Sequence, residues 1–343
     1  MCGETRKYLE VFMDTLMNAG INWIAALQGL GTWLTLPMKA FSFLGSEDFF
    51  MLVLPALYWS VNAALGLRVG VILLVGSSLN DMLKLAFHAP RPYWISTKIK
   101  AFASETGFGL PSGHSQSAVG VWGMLASQVK KRWAWGVAIF LMLMIGISRM
   151  YLGVHFPTDV LLGWLSGAVI LWLVLRLWDP AAAWLKKLNP GGQVLAVFAF
   201  SLALVFLALI PYFGLKSNGW QIPSAWLQNA FQNLPDGEPP NPTSLSGLFS
   251  TTGTLFGLGA GLAWLNMRGG YNTDGSGWQR FLRYIVGVIG VLVIRYGLKA
   301  IFPEGETWLG LIFQYIRYSA IGAWVSAGAP LLFFALRLAK KNP

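Results

Sequence analysis

The sequence predicts an all-α fold, a polytopic transmembrane bundle of about nine helices. Three observations carry that expectation. The 343 residues are 55% hydrophobic and 11% charged, a balance that the surface of a water-soluble domain cannot hide. Apolar runs of about 20 residues recur along the chain, the length at which a helix crosses a bilayer with every backbone group bonded internally. The cations stand in short groups between those runs, as membrane topology demands.

Residues 8–45 come first and mix Trp23, Trp33 and Phe41 with Asn, Gln, Gly and Lys39. That composition suits an amphipathic or re-entrant segment at the interface, with a tenth span as the alternative. Arg6 and Lys7 are followed by Glu10 and Asp14 rather than by a clean apolar stretch and a small-residue cleavage site, so no removable signal peptide is expected. Spans are then predicted over residues 49–65, 69–87, 114–128, 133–149, 157–177, 192–211, 249–266, 284–302 and 309–336. Loop charges test the order. Lys130, Lys131 and Arg132, then Lys186 and Lys187, then Arg268, Arg280 and Arg283, then Arg337, Lys340 and Lys341 all fall on one side, which is expected to be cytoplasmic. Glu47, Asp48, Asp236, Glu238, Glu304 and Glu306 fall on the other. The stretch from Asp179-Pro180 to Gly192 divides a core at 49–180 from an extension at 190–343, with residues 1–48 as the interfacial segment. The loop at 212–248, rich in Pro, Asn and Ser, is either a cap or a solvated connector.

Several function classes are excluded. The one cysteine, Cys2, has no internal partner, and no Cys/His cluster has metal-ligand spacing, so neither a disulfide, a metal nor another cofactor is expected. A formal net charge of +11 is accounted for by the topogenic loops, and no nucleic-acid partner is implied. No Asn-x-Ser/Thr acceptor with a permitted middle residue occurs, which fits a bacterial inner membrane and is also compatible with an unglycosylated organellar protein.

The chemistry lies in three short constellations: Lys84-x6-Arg91-Pro92, then Pro111-Ser112-Gly113-His114, then Ser148-Arg149-x5-His155-x3-Asp159. All belong to the acidic side. Cleaving a phosphomonoester requires fixed positive charge, a nucleophile in line and an acid for the leaving oxygen. Lys84, Arg91 and Arg149 supply the charge, Lys as a point and Arg as a planar fork. Ser112 is placed to cap a helix whose first free N–H groups, with Gly113 allowing close approach, hold phosphate oxygens. His155 and Asp159 lie four residues apart on one helical face, so the carboxylate can fix the imidazole tautomer. His155 is thereby the nucleophile, Asp159 its orienter and His114 the acid. The bland alternatives are an ordinary cap at Ser112, snorkelling cations, and a structural His155–Asp159 contact. His88 reads as interfacial and non-catalytic, and Arg295, Lys299 and Arg317 as intramembrane cations able to meet a lipid headgroup or to snorkel.

At these residues the sequence resembles the type 2 phosphatidic acid phosphatase (PAP2) superfamily, which includes glucose-6-phosphatases and vanadium haloperoxidases. The resemblance spans residues 45–178, and the wording Arg91-Pro-Tyr-Trp94, Glu105-Thr-Gly107 and Arg149-Met-Tyr-Leu-Gly-Val-His155-Phe-Pro157 is similar to the glucose-6-phosphatase branch. It implies a haloperoxidase-like helical core, a phosphohistidine at His155, acid catalysis at His114, and phosphate held by Lys84, Arg91, Ser112, Gly113 and Arg149 without a metal. The expected function is hydrolysis of a phosphomonoester or pyrophosphate on the non-cytoplasmic face. A lipid substrate (phosphatidate, phosphatidylglycerophosphate or a prenyl diphosphate) is favoured because the site lies at the membrane boundary, among membrane lipids. A sugar phosphatase and a phosphotransferase share the same chemistry, and a lipid transporter is the non-enzymatic alternative.

Overall fold

The computed structural model describes residues 2–341, with side chains from Thr15 onward, so Arg6, Lys7, Glu10 and Asp14 lie outside the described side chains. The chain is all-helical among those residues apart from one isolated bridge, Asn272 to Lys340. Its helices are α1 (Cys2–Gln28), α2 (Thr35–Phe43), α3 (Glu47–Ala56), α4 (Ala63–Phe87), α5 (Pro92–Ile95), α6 (Gly113–Val129) and α7 (Arg132–Tyr151). They continue as α8 (Pro157–Lys186), α9 (Pro190–Ser217), α10 (Ser224–Asn233), α11 (Ser246–Asn266), α12 (Gly277–Ile301), α13 (Trp308–Ala323) and α14 (Ala329–Ala335).

Among the described residues, seven helical stretches are long and apolar enough to cross a membrane, and a bent pair over Thr32–Phe43 and Glu47–Val61 makes up to eight. Two predicted spans account for most of the difference from about nine. The span expected at 49–65 breaks at Asn62, whose extended backbone ends a π turn over Leu57–Val61 and whose side chain caps α4 by accepting from Leu65 N (2.9 Å). The span expected at 114–128 forms as α6, only 17 residues long and buried on most of its faces between α4, α7 and α8. The segment at 8–45 touches the core on one face, where Ile21 and Ile24 are buried and Gln28 Nε2 donates to Lys100 O and Tyr151 O (2.8 Å each), and exposes Trp23, Trp33 and Leu36 on the other.

Close helix approach is made by small residues. A Cβ at Gly163 of α8 would stand 2.6 Å from Ser112 O, which shows how tightly α8 lies on the start of α6. In the second half, Gly253, Gly257 and Gly261 recur every fourth residue along α11 and let α13 pack against them. The extension is pinned to the core where two π turns meet, at 57–61 and 324–328: Trp59 Nε1 donates to Val325 O (2.8 Å) and Tyr58 OH to Ser326 O (3.0 Å). Trp172 on α8, Ile210 on α9 and Val293 on α12 are exposed apolar side chains of the kind that meet lipid.

Candidate active site

All three constellations come together at one end of the bundle. Lys84 is in the last turn of α4, Arg91 caps the short α5, Ser112, Gly113 and His114 open α6, Arg149 is in the last turn of α7, and His155 and Asp159 flank the start of α8. Backbone hydrogen bonds stitch these points to one another. Gly109 N donates to Ala89 O (2.9 Å), and Ser112 N donates to Asp159 O (2.9 Å). Gly109 is required there, since a Cβ would lie 2.7 Å from Pro90 O and 3.1 Å from Asp159 Oδ2.

Arg91 is the hub. It is fully buried, and Nε donates to Gly107 O (2.6 Å), one terminal nitrogen to Val154 O (3.0 Å) and the other to Phe108 O (3.0 Å). The nitrogen that serves Val154 also reaches His155 Nε2 at 3.2 Å. A guanidinium has no acceptor, so Nε2 must carry the lone pair and the ring proton must sit on Nδ1. Nδ1 faces Asp159 Oδ2 at 3.3 Å, and Phe156 N donates to that same oxygen at 2.8 Å. His155 is buried in the connection between α7 and α8, and desolvation first, then the charge of Arg91, hold it well below the ordinary imidazole value. The ring is therefore neutral at physiological pH.

Ser112 caps α6 with its Oγ accepting from Ser115 N (3.4 Å) and Ser115 Oγ (3.0 Å). Asn80 donates to Pro111 O (3.4 Å) and to Gln116 Oε1 (3.1 Å), steadying the turn before that helix. His114 lies within electrostatic reach of Arg149, Glu105, Lys84 and Arg91. Lys84 is close to the loop that carries Glu105, since a Cβ on Gly107 would stand 3.8 Å from its Nζ. His88 takes a left-handed conformation that closes α4, with its ring against Ala86 O and Phe108.

One residue of the site was not among the sequence candidates. Glu105 accepts from Arg149 with Oε1 and pairs with Arg91 through Oε2 at 3.5 Å, so one carboxylate spans two buried guanidiniums. Burial pushes its carboxyl upward, but Arg149 and then Arg91 hold it well below the usual carboxylate range. The only sequence signal was its place in Glu105-Thr-Gly107. Arg149 also donates to Ser42 Oγ (2.6 Å), which brings α2 into the site, while its Nε is buried without a partner. Segment 218–245 packs over this end: Asn233 donates to Tyr93 O (2.9 Å), Asn229 to Trp94 O (3.0 Å), and Trp220 and Trp226 meet Phe108 and Trp94.

This helical architecture and histidine site define a class, and two family models identify it. The PAP2 superfamily matches residues 65–182, and the PAP2 superfamily phosphatase, transmembrane extension, matches residues 249–341. The chain belongs to the PAP2 superfamily: it is an integral membrane phosphatase, a phosphoric monoester hydrolase. It is 28% identical to glucose-6-phosphatase 3 of Bos taurus over 281 residues, covering 73% of this chain and 77% of that protein. Glucose-6-phosphatase catalytic subunit 1 of Bos taurus is 25% identical (85% of this chain, 90% of that protein), and glucose-6-phosphatase 3 of Rattus norvegicus is 27% identical (96% and 99%). Among solved structures, the first transmembrane PAP2 type phosphatidylglycerolphosphate phosphatase from Bacillus subtilis is similar, with a TM-score of 0.41 and 25% identity (50% of this chain, 95% of that one). Aquifex aeolicus LpxE also has a TM-score of 0.41, with 20% identity (46% and 95%).

Proposed function

We propose that the enzyme hydrolyses a lipid phosphomonoester or pyrophosphate through a phosphohistidine at His155, on the non-cytoplasmic face of the membrane. The observation that carries this reading is the position of the His155 ring, with Nδ1 on Asp159 and Nε2 facing Arg91. The Nε2 lone pair attacks phosphorus, the P–O bond to the alcohol breaks, and His114 as imidazolium gives its proton to the departing oxygen. A bound dianion beside His114 favours that charged form. Neutral His114 then takes a proton from water as that water attacks phosphorus and the P–N bond breaks, which returns neutral His155 and inorganic phosphate. Lys84, Arg91, Arg149 and the N-terminus of α6 at Ser112 and Gly113 compensate the phosphoryl charge.

Two further points support the placement and the substrate. The cationic loops at 130–132, 186–187 and 337–341 lie at the end of the bundle opposite the site, so the positive-inside rule directs the site outward, to the periplasm if the membrane is a bacterial inner one. The site also sits where α4 and α7 end and α6 and α8 begin, and the ends of bilayer-crossing helices are where lipid headgroups lie. A sugar phosphate is the second reading, favoured by relatives named glucose-6-phosphatases that align over most of the chain. Phosphate release from phosphatidate, a prenyl diphosphate and glucose 6-phosphate separates the two, in detergent and in liposomes. Preference for a lipid phosphate and loss of turnover in His155→Ala are expected. Full turnover by that variant would overturn the phosphohistidine, and exclusive use of glucose 6-phosphate would overturn the lipid substrate.

A further inference from the structure

We propose that Glu105 is a specificity-determining residue, a built-in anion that fills the phosphate seat of the empty site and yields it to a dianionic phosphomonoester but not to a monoanion. The inference rests on His155 being the phosphoryl acceptor, and it follows from counting donors.

Arg91 has five N–H groups, and three of them go to the carbonyls of Gly107, Val154 and Phe108, contacts that hold the loops themselves. The remaining two directions meet His155 Nε2 and Glu105 Oε2. A phosphoryl group approaching Nε2 has only those two to draw on. At Arg149, one terminal nitrogen holds Ser42 Oγ, the other holds Glu105, and Nε is buried without a partner. The N–H groups able to turn toward a phosphate are thus the Arg91 N–H that faces His155, the Arg149 Nε, the second hydrogen on each Arg149 terminal nitrogen, and, between the two arginines, the ones that Glu105 occupies. Substrate and carboxylate compete for the donors that point between the two guanidiniums.

The carboxylate has somewhere to go. Its backbone is fixed on both sides by Tyr93, whose hydroxyl accepts from Glu105 N (3.2 Å) and donates to Glu105 O (2.9 Å). Its side chain is 25% exposed, against 0% for Arg91 and 3% for Arg149. The side chain can swing outward while the loop stays in place.

Exchange sets a threshold. A ligand with one negative charge, such as a phosphodiester, replaces one charge by one and leaves a displaced carboxylate beside it, so nothing is gained. A phosphomonoester, whose second ionisation lies near pH 6, brings a second charge and a third oxygen for Lys84. The headgroups that crowd a bilayer around such a site are mostly phosphodiesters. Glu105 keeps them off a cluster of cations that would otherwise bind them.

The test compares inhibition by inorganic phosphate and by dimethyl phosphate, a monoanionic diester, in purified wild type, Glu105→Gln and Glu105→Asp. Inhibition is read on turnover of an aryl phosphate and, without turnover, as ligand-induced shifts in melting temperature. Glu105→Gln should bind dimethyl phosphate about tenfold more tightly than wild type with a smaller change for phosphate, the size expected from one recovered charge-assisted contact. Glu105→Asp, which keeps the charge, should keep the wild-type ratio. An unchanged ratio in Glu105→Gln, or weaker binding of both anions, overturns the proposal and makes Glu105 a positioning residue for the arginines. Wild type alone also decides, whether or not a variant folds: equal affinity for the two anions overturns it. The melting shifts need no chemistry, so failure of the phosphohistidine reading would show in His155→Ala turnover and leave this ratio unaffected.

Discussion

At the scale of single residues, a neutral His155 has a measurable consequence. Burial and then Arg91 hold its ring well below 6.5, so it remains unprotonated and competent as the pH falls through the range where a free imidazole gains its proton. The acid limb of kcat/KM is then set by the second ionisation of the substrate phosphate, near pH 6. Changing the leaving group to shift that ionisation should move the limb by the same amount; a limb fixed near 6.5 for every substrate would show that His155 titrates normally. Asp159 makes a second case. It takes both the His155 Nδ1 proton and the Phe156 N–H on one oxygen, so Asp159→Asn should lower kcat about a hundredfold or more while leaving KM for an aryl phosphate within a few-fold. Lys84, Arg91, His114, Arg149, His155 and Asp159 stand out in the sequence as ionisable side chains at helix ends and turns of an apolar chain, Ser112 and Gly113 stand out as the opening of a helix beside His114, and the structure gathers all eight at one end of the bundle. Glu105 is not legible in that way. An acid in a site built for anions makes sense only once Arg91 and Arg149 are seen on either side of it.

At the scale of elements, the site depends on how closely α8 lies on α6. Ser112 N bonds to Asp159 O, and directly below, Gly163 meets Ser112 O. Adding one methyl group here pushes α8 outward and carries His155 and Asp159 with it. Gly163→Ala should therefore cost about 1–3 kcal/mol of stability and lower kcat disproportionately, measured by thermal unfolding and by turnover. Gly136→Ala on α7 is the control, since nothing lies within 4 Å of a Cβ there; it should leave kcat unchanged and raise stability by a few tenths of a kcal/mol to about 1. Apolar periodicity makes most spans readable, yet it is silent on packing partners. It also misses breaks such as Asn62, where the π turn at 57–61 closes the bend between α3 and α4. The glycines at 253, 257 and 261 stand in the sequence at helical spacing, but their partner, α13, comes after the whole of α12 and becomes evident only in three dimensions.

At the scale of the whole molecule, the catalytic end and the cationic end are opposite, and Arg283 shows that not every cation at the latter serves topology. The sequence groups it with Arg268 and Arg280 as a loop charge. In the structure it is fully buried near the start of α12, with Nε donating to Leu338 O (2.8 Å) and its terminal nitrogens to Thr273 O (2.7 Å), Asp274 O (2.5 Å) and Trp59 O (3.4 Å). One side chain thus joins the tail of the extension, the loop before α12 and the π turn that ends α3. These carbonyls are acceptors that no apolar replacement can satisfy, so Arg283→Met should destabilise the protein by about 3 kcal/mol. The direction of the loss matters more than its size. The catalytic loops stand at the other end and are held by their own bonds to Arg91 and Asp159, so what loosens first is the seat of α12, α13 and α14 on the core. Limited proteolysis of Arg283→Met in detergent should cut within 267–276 or after 336 well below the temperature at which phosphate release fails, whereas wild type should lose both together. Simultaneous loss in the variant would show that the extension and the catalytic core unfold as one cooperative unit, with Arg283 acting on the whole bundle rather than on the joint between its halves.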